Sequence, residues 1–128
     1  LIERARSLGV ADEQLVIDPG PDFAKTPGES VDVLRRLDRL RELERPLLLA
    51  VSRKYFIGAI TGRPPLERLG GTLAALAAGL DHGAAILRVH DVAEVRAFLQ
   101  VRAVLAGEAE VPRFDPADER LKWERPLS

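Results

Sequence analysis

The order of its apolar runs constrains the fold of this chain more than any other feature. Three short apolar segments, at residues 15–17, 47–51 and 84–89, alternate with longer stretches of helical periodicity. This alternation favours parallel strands joined by helices, because each helix returns the chain to the starting edge of the sheet. We therefore predict an α/β fold with three parallel strands and right-handed crossover helices.

The segments between the apolar runs are assigned by residue spacing. Helices are predicted over residues 1–8, 29–43, 66–80 and 92–105, and a long loop over residues 52–65. Leucines recur at steps of three through 29–43, which indicates one buried stripe. The helix at 66–80 is rich in Ala and Gly, so we expect it to pack closely against its neighbours.

Three strands cannot enclose a core by themselves. Two open edges and partly uncovered apolar faces would remain, so the sequence predicts further strands in the same polypeptide or a partner chain. The chain contains no methionine, and Leu1 stands inside a predicted helix without a preceding N-cap residue. We interpret the 128 residues as part of a longer polypeptide.

Composition excludes several classes of function. The net charge is −1, from 19 basic and 20 acidic side chains, which gives no basis for binding nucleic acid or an anionic membrane. The absence of cysteine rules out a disulfide framework and a thiolate metal site. No apolar run approaches the ~20 residues of a membrane span, and no signal peptide is recognisable. We expect a soluble, cytoplasmic protein.

Ionisable side chains gather where each predicted strand ends. Asp18 follows the first strand, Arg53 and Lys54 follow the second, and Arg88 and His90 close the third. In folds built from alternating strands and helices, ligands bind at the carboxyl ends of the strands. The opposite strand ends carry no such concentration of charge. The sequence therefore predicts a catalytic or binding face at the carboxyl ends.

Each of these groups also has a structural alternative. Asp18 can accept two N–H bonds from the edge of a planar ligand, or it can form a turn. Arg88 and His90 point to the same side of a strand and together suit a phosphate or pyrophosphate. Alternatively, they pair with Asp91 or Asp18. The two cations after the second strand face either a ligand or solvent.

Three motifs at these strand ends give the sequence a family resemblance. They are Asp-Pro-Gly-x-x-Phe-x-Lys from Asp18, Ser-Arg-Lys from Ser52 followed by a Phe-x-Gly pair, and Arg-Val-His-Asp from Arg88. In this order and spacing they resemble the dihydropteroate synthase family. The resemblance implies the C-terminal part of a (β/α)8 TIM barrel, strands six to eight. Residues 1–106 would be the partial pterin-binding barrel. The resemblance does not cover residues 107–128, which we expect to form a charged C-terminal tail folded back through its aromatic residues, Phe114 and Trp123.

The resemblance implies a reaction and a division of roles. Family enzymes join 6-hydroxymethyl-7,8-dihydropterin pyrophosphate to p-aminobenzoate in folate biosynthesis and release pyrophosphate, with magnesium assistance. Asp18 would bond the aminopyrimidine edge of the pterin, Lys54 its pyrazine side, and Arg88 with His90 the pyrophosphate. The catalytic residues implied are Lys54, Arg88 and His90, and the substrate-binding residues are Asp18, Phe23, Ser52, Arg53, Lys54, Arg88 and His90.

The resemblance also implies limits and leaves alternatives open. The family's magnesium ligand lies in strands that this chain lacks, so we expect no metal site and no activity from the 128 residues alone. Asp22 and Tyr55 depart from the family pattern beside the benzoate pocket, so a pterin-binding paralogue without synthase activity stays open. A self-associating half-barrel is a third hypothesis, and a related pterin-dependent methyltransferase barrel is a fourth. The family pattern also implies a homodimer.

Overall fold

The computed structural model describes residues 1–122 of the chain. It consists of two units, Leu1–Val95 and Arg96–Ser128. The first unit contains α1 (Ile2–Ser7), α2 (Pro27–Arg35), β1 (Leu47–Leu49), α3 (Tyr55–Thr61), α4 (Leu69–Asp81) and β2 (Ala84–Leu87). A further helix, α5 (Val92–Leu105), begins in the first unit and continues into the second. Short 3₁₀ helices cover Asp12–Gln14, Leu37–Leu43, Pro65–Glu67 and Glu119–Leu121.

The sheet of the first unit is parallel, as the alternating pattern predicts. β1 and β2 pair with Leu47 opposite Ala84 and Leu49 opposite Leu87, with one irregularity beside Leu47. Because α3 and α4 lie between the two strands in sequence, the connection is a helical crossover. The predicted α/β class with parallel strands is confirmed.

The third predicted strand, at residues 15–17, is reduced to a single bridge. Ile17 pairs with Leu47 in parallel sense: its N–H donates to the carbonyl of Pro46 at 2.9 Å, and its carbonyl accepts from the N–H of Leu48 at 2.7 Å. The ladder cannot continue, because Pro19 follows two residues later and has no N–H to donate. β1 therefore lies between Ile17 and β2.

The helix predicted over residues 29–43 is two helices of different kinds. α2 begins earlier, after Thr26, whose hydroxyl accepts the N–H of Glu29 while the Glu29 carboxylate accepts the N–H of Thr26 at 2.7 Å. Pro27 occupies the first helical position, where its missing N–H costs nothing. From Leu37 the chain is a 3₁₀ helix, and a leucine at every third position matches its three residues per turn.

The prediction of a long loop over residues 52–65 is wrong, because this segment contains α3. Phe56 and Ile57 are buried, 4% and 2% exposed, so burial of this face stabilises the helix. Gly62 ends α3 in the left-handed region, at φ +71°, where glycine carries no steric penalty.

The glycines of α4 allow the close packing that its composition predicts. A Cβ on Gly79 would lie 2.1 Å from a methyl carbon of Leu49, and one on Gly71 would lie 2.3 Å from a methyl carbon of Ile57. A larger side chain at either glycine would require its neighbour or the helix to shift. Gly70, by contrast, has open space around it. Leu49 of β1 thus approaches α4 at Gly79, and the least exposed side chains of the core include Leu37, Leu49, Val51 and Leu76.

α5 occupies the residues predicted for it, 92–105. In the second unit Phe114 is 66% exposed, and the prediction that the tail folds back through this ring stays a prediction. Trp123 lies outside the described residues. Within residues 1–122, no helix is both long enough and apolar enough to cross a bilayer. The boundary predicted between residues 106 and 107 stays a prediction.

Candidate functional site

A cleft of about 570 Å³ lies at the carboxyl ends of β1 and β2. Its lining includes Ser52, Arg53 and Lys54 from the segment after β1, and Arg88 and His90 from the segment after β2. The parallel pairing of the strands brings both segments to one edge of the sheet. Five of the seven predicted site residues therefore meet in one cleft.

Ser52 connects the two segments across the floor of the cleft. The residue is only 6% exposed, and its Oγ accepts the backbone N–H of His90 at 3.2 Å. The same Oγ lies 3.0 Å from Nδ1 of the His90 ring. These contacts orient the imidazole while the rest of His90 remains exposed.

Arg53 is held from three directions. Its guanidinium forms a two-pronged ion pair with Asp91, with one bond, from Nε, at 3.1 Å. Its N–H donates to the hydroxyl of Thr72, which is fully buried, at 3.1 Å. Its carbonyl accepts from the Arg68 guanidinium at 2.9 Å. Arg53 adopts φ +59°, in the left-handed region, and these bonds hold it there.

The Arg53–Asp91 pair perturbs both ionisable groups. The guanidinium beside Asp91 lowers the pKa of that carboxyl, mainly through their hydrogen bonds. The carboxylate in turn raises the pKa of Arg53. Asp91 therefore pairs with Arg53, and the alternative that it pairs with Arg88 or His90 is wrong.

Lys54 faces the segment that carries Phe23. Its Nζ donates to the carbonyl of Pro21 at 3.1 Å and lies 4.2 Å from the centroid of the Phe23 ring. At that distance an ammonium is attracted to the ring face. The Phe23 side chain is 61% exposed, so the ring remains accessible to a ligand.

Arg88 is the predicted site residue with the least internal support. Its backbone N–H donates to the carbonyl of Leu49 at 3.0 Å and holds the main chain beside β1. The residue lines the cleft and is exposed. Within residues 1–122 it forms no side-chain hydrogen bond or ion pair. Its five N–H donors are available to an anion.

Asp18 does not line this cleft. One of its oxygens accepts the N–H of Gly20 at 2.8 Å, so the side chain forms the turn that the Asp-Pro-Gly sequence favours. The exposed carboxylate borders a separate cavity of about 850 Å³, formed with α1 and the residues before β1. Asp18 is thus outside the lining that the other five predicted site residues share.

Three supporting residues were missed by sequence reasoning as parts of the site. Arg68 donates to the carbonyls of Arg53 and Lys54, and a Cβ on Gly58 would lie 2.1 Å from its guanidinium. Thr72 is the second, and Asp22, noted in the sequence only as a departure from the family pattern, is the third. The Phe-x-Gly motif carried the only local signal, because a glycine within a helix points to close approach of a neighbouring group.

Comparison with known proteins places these motifs in a family. The family described as Pterin binding enzyme matches residues 1–90. A dihydropteroate synthase of Synechocystis is 47% identical over 92 residues, which are 71% of this chain and 32% of that protein. An inactive dihydropteroate synthase 2 of Mycobacterium bovis is 41% identical over 105 residues, 82% of this chain and 33% of that protein.

Solved structures agree with the sequence relatives. The Xanthomonas albilineans dihydropteroate synthase in complex with 7,8-dihydropteroate superimposes with a TM-score of 0.79 at 40% identity, over 87% of this chain and 42% of that chain. The chain spans about a third of the length of the two relatives above. With the family match over residues 1–90 and the parallel α/β fold, the chain belongs to the pterin-binding enzyme family.

Proposed function

We propose that this chain supplies strand-end loops of a dihydropteroate synthase, the enzyme that joins 6-hydroxymethyl-7,8-dihydropterin pyrophosphate to p-aminobenzoate. The observation that carries the proposal is the placing of the Lys54 amine, 4.2 Å from the exposed Phe23 ring, in a cleft shared with Arg88 and His90. A cation beside an aromatic ring suits a flat heterocycle and an aryl amine. The exposed side chains of Arg88 and His90 suit a diphosphate.

The reaction is a displacement led by the departure of pyrophosphate. The C–O bond between the pterin methylene and pyrophosphate breaks, and its electrons leave with the pyrophosphate. The amine nitrogen of p-aminobenzoate uses its lone pair to form a C–N bond to that methylene and then releases a proton to solvent. Contacts to the leaving group and alignment of the amine supply the catalysis, and no general base is needed.

The roles that we propose for the side chains are those that the family resemblance implies. Arg88 and His90 hold the departing pyrophosphate, because a guanidinium fork matches phosphate oxygens. Lys54 bonds the pyrazine side of the pterin. Asp18 bonds its aminopyrimidine edge through the oxygen that is not used in the turn to Gly20.

The remaining predicted residues form the p-aminobenzoate side of the site. Phe23 presents an exposed ring for p-aminobenzoate. Ser52 contributes by holding the backbone and ring of His90 in place. Arg53 contributes through its ion pair with Asp91, which holds the loop in place.

Several features of the proposal concern the whole protein. Magnesium assistance, a homodimer and a cytoplasmic location are part of it. Among the described residues, however, no group of three or more His, Asp or Glu side chains could hold a metal ion. We therefore assign no step to the metal.

An inactive pterin-binding paralogue is the second candidate. The relative of Mycobacterium bovis that is named inactive is nearly as similar as the synthase of Synechocystis, 41% against 47% identical. Such a protein would bind the pterin substrate without forming product.

Product formation by the full-length polypeptide that contains this sequence tests the proposal. We expect dihydropteroate from the two substrates, and a loss of about 100-fold or more in the Lys54→Ala variant, because a positioned charge in the site is removed. Arg35→Ala is the matched control, since Arg35 lies on α2 with 74% of its side chain exposed. Pterin binding without product would contradict the synthase and support the paralogue.

A further inference from the structure

Asp22 is the one residue of its loop that is bonded to two helices. It adopts φ +65°, a conformation that is uncommon for residues other than glycine, asparagine and aspartate. Its carboxylate accepts the N–H of Phe56 at 3.3 Å and, through the other oxygen, the N–H of Tyr55. These N–H groups belong to the first turn of α3 and have no partner within that helix.

Ser30 of α2 is the second anchor. Its hydroxyl, in a residue with no exposed surface, accepts the N–H of Asp22 at 2.9 Å and donates to the Asp22 carboxylate at 3.2 Å. The Asp22 carboxylate therefore accepts three hydrogen bonds, all of them from within the chain. A carboxylate satisfied in this way has little reason to turn toward a ligand.

The neighbours of Asp22 contact the Lys54 amine. Pro21, on one side, offers its carbonyl to Nζ at 3.1 Å, and Phe23, on the other, lies with its ring centroid 4.2 Å from Nζ. Asp22 in turn is bonded to Tyr55, the residue after Lys54. Two segments about thirty positions apart in sequence are thus joined at neighbouring points.

We propose that Asp22 is a positioning residue for the p-aminobenzoate side of the site. By fixing residues 21–23 against the start of α3, it sets where the Lys54 amine lies over the Phe23 ring. Asp22 does not line the cleft, so it acts through these two side chains. This inference rests on the proposed function in naming p-aminobenzoate as the ligand, whereas the mechanical link between the two segments does not depend on it.

The test uses two variants of Asp22 and a control, all in the full-length polypeptide. Asp22→Gly removes the carboxylate and tolerates the positive φ. Asp22→Asn keeps one acceptor oxygen and also tolerates it. Asp32→Asn is the control, because the Asp32 side chain on α2 is 57% exposed and makes only a 3.6 Å contact with Arg35.

Hydrogen exchange at single amides tests the link itself. We expect Tyr55 and Phe56 to exchange about tenfold faster or more in Asp22→Gly, because opening of the first turn of α3 becomes easier. Asp22→Asn should be intermediate and Asp32→Asn unchanged. Unchanged exchange in Asp22→Gly would overturn the proposal, whether or not the protein is a synthase.

Kinetics test the consequence for the substrates. Asp22→Gly should raise KM for p-aminobenzoate about tenfold, with a smaller rise for the pterin pyrophosphate and kcat within about threefold, because misplaced positioning groups weaken one subsite most. In Asp22→Asn, KM for p-aminobenzoate should return most of the way to the value of the unmutated protein. An equal rise in both KM values together with a fall in Tm would mean a purely structural role. Absence of product in the unmutated protein would refute the proposed function instead, and exchange would still decide the role of Asp22.

Discussion

Two segments line the same cleft but are held in different ways. Each residue of Ser52–Lys54, after β1, is hydrogen-bonded through its side chain to a residue elsewhere in the first unit. Arg88, after β2, offers an exposed guanidinium that forms no side-chain hydrogen bond or ion pair within residues 1–122. The first segment is organised by the chain itself, whereas the charge of Arg88 in the second is left to a ligand.

This difference predicts which measurement each substitution affects. Removing a side chain from an internally bonded segment leaves buried donors or acceptors unpaired, which lowers the free energy of unfolding. Removing a side chain that has no internal partner leaves nothing unpaired, so only ligand binding and turnover change. Substitutions at Arg88, Thr72 and Asp91 test this division.

The largest effect is expected for Arg88→Ala. Product formation should fall about 100-fold or more, because the leaving pyrophosphate loses its arginine fork. The free energy of unfolding should change by less than about 0.5 kcal/mol, as is usual for exposed positions without partners. Steady-state kinetics and denaturant unfolding of the full-length polypeptide measure the two quantities. A large loss of stability would show that Arg88 has a structural role and would contradict the difference between the two segments.

Thr72→Val should act in the opposite way. The substitution preserves volume but leaves the N–H of Arg53 without the buried hydroxyl that it bonds at 3.1 Å. We expect the free energy of unfolding to fall by about 1–3 kcal/mol. Thr61→Val is the control, because Thr61 is exposed and its hydroxyl bonds a carbonyl of its own helix. Equal effects of the two substitutions would contradict the supporting role of Thr72.

Acid should weaken the first segment through the Arg53–Asp91 pair. Because the folded pKa of Asp91 is lowered, the pair contributes stability above the unfolded pKa of about 3.9, and that contribution is lost as pH falls through the lowered value. In urea unfolding, the free energy of unfolding should therefore fall less between pH 6 and the acid range in Asp91→Asn than in the unmutated protein. Identical pH profiles would mean that the pair is not formed in solution.

The site was predictable from sequence where strand ends determine it. Lys54, Arg88 and His90 lie together because parallel strands deliver their carboxyl ends to one edge, and this rule needs only the apolar runs and the residues directly after them. It did not bring Asp18 into the cleft, because the short run before it forms a single bridge and the carboxylate turns back to Gly20.

Long-range bonds account for the features that sequence reasoning missed. α3, in the segment predicted to be a loop, begins without a side-chain cap from Lys54, its N-cap residue. The acceptor is Asp22, which is more than thirty residues earlier in sequence. Likewise Asp91 directly follows His90 in sequence but forms its ion pair with Arg53. No pattern within either segment specifies such partners, because they are set by the packing of β1, β2 and the helices.

A crystal structure of the full-length polypeptide with dihydropteroate would show whether the product binds at these strand ends. We expect the pterin within hydrogen-bonding distance, about 3 Å, of both Lys54 and Asp18, with the benzoate ring against Phe23. We also expect the Arg53–Asp91 pair unchanged and the Arg88 guanidinium facing the methylene end of the pterin. Product that contacts neither Lys54 nor Arg88 would contradict the proposed site.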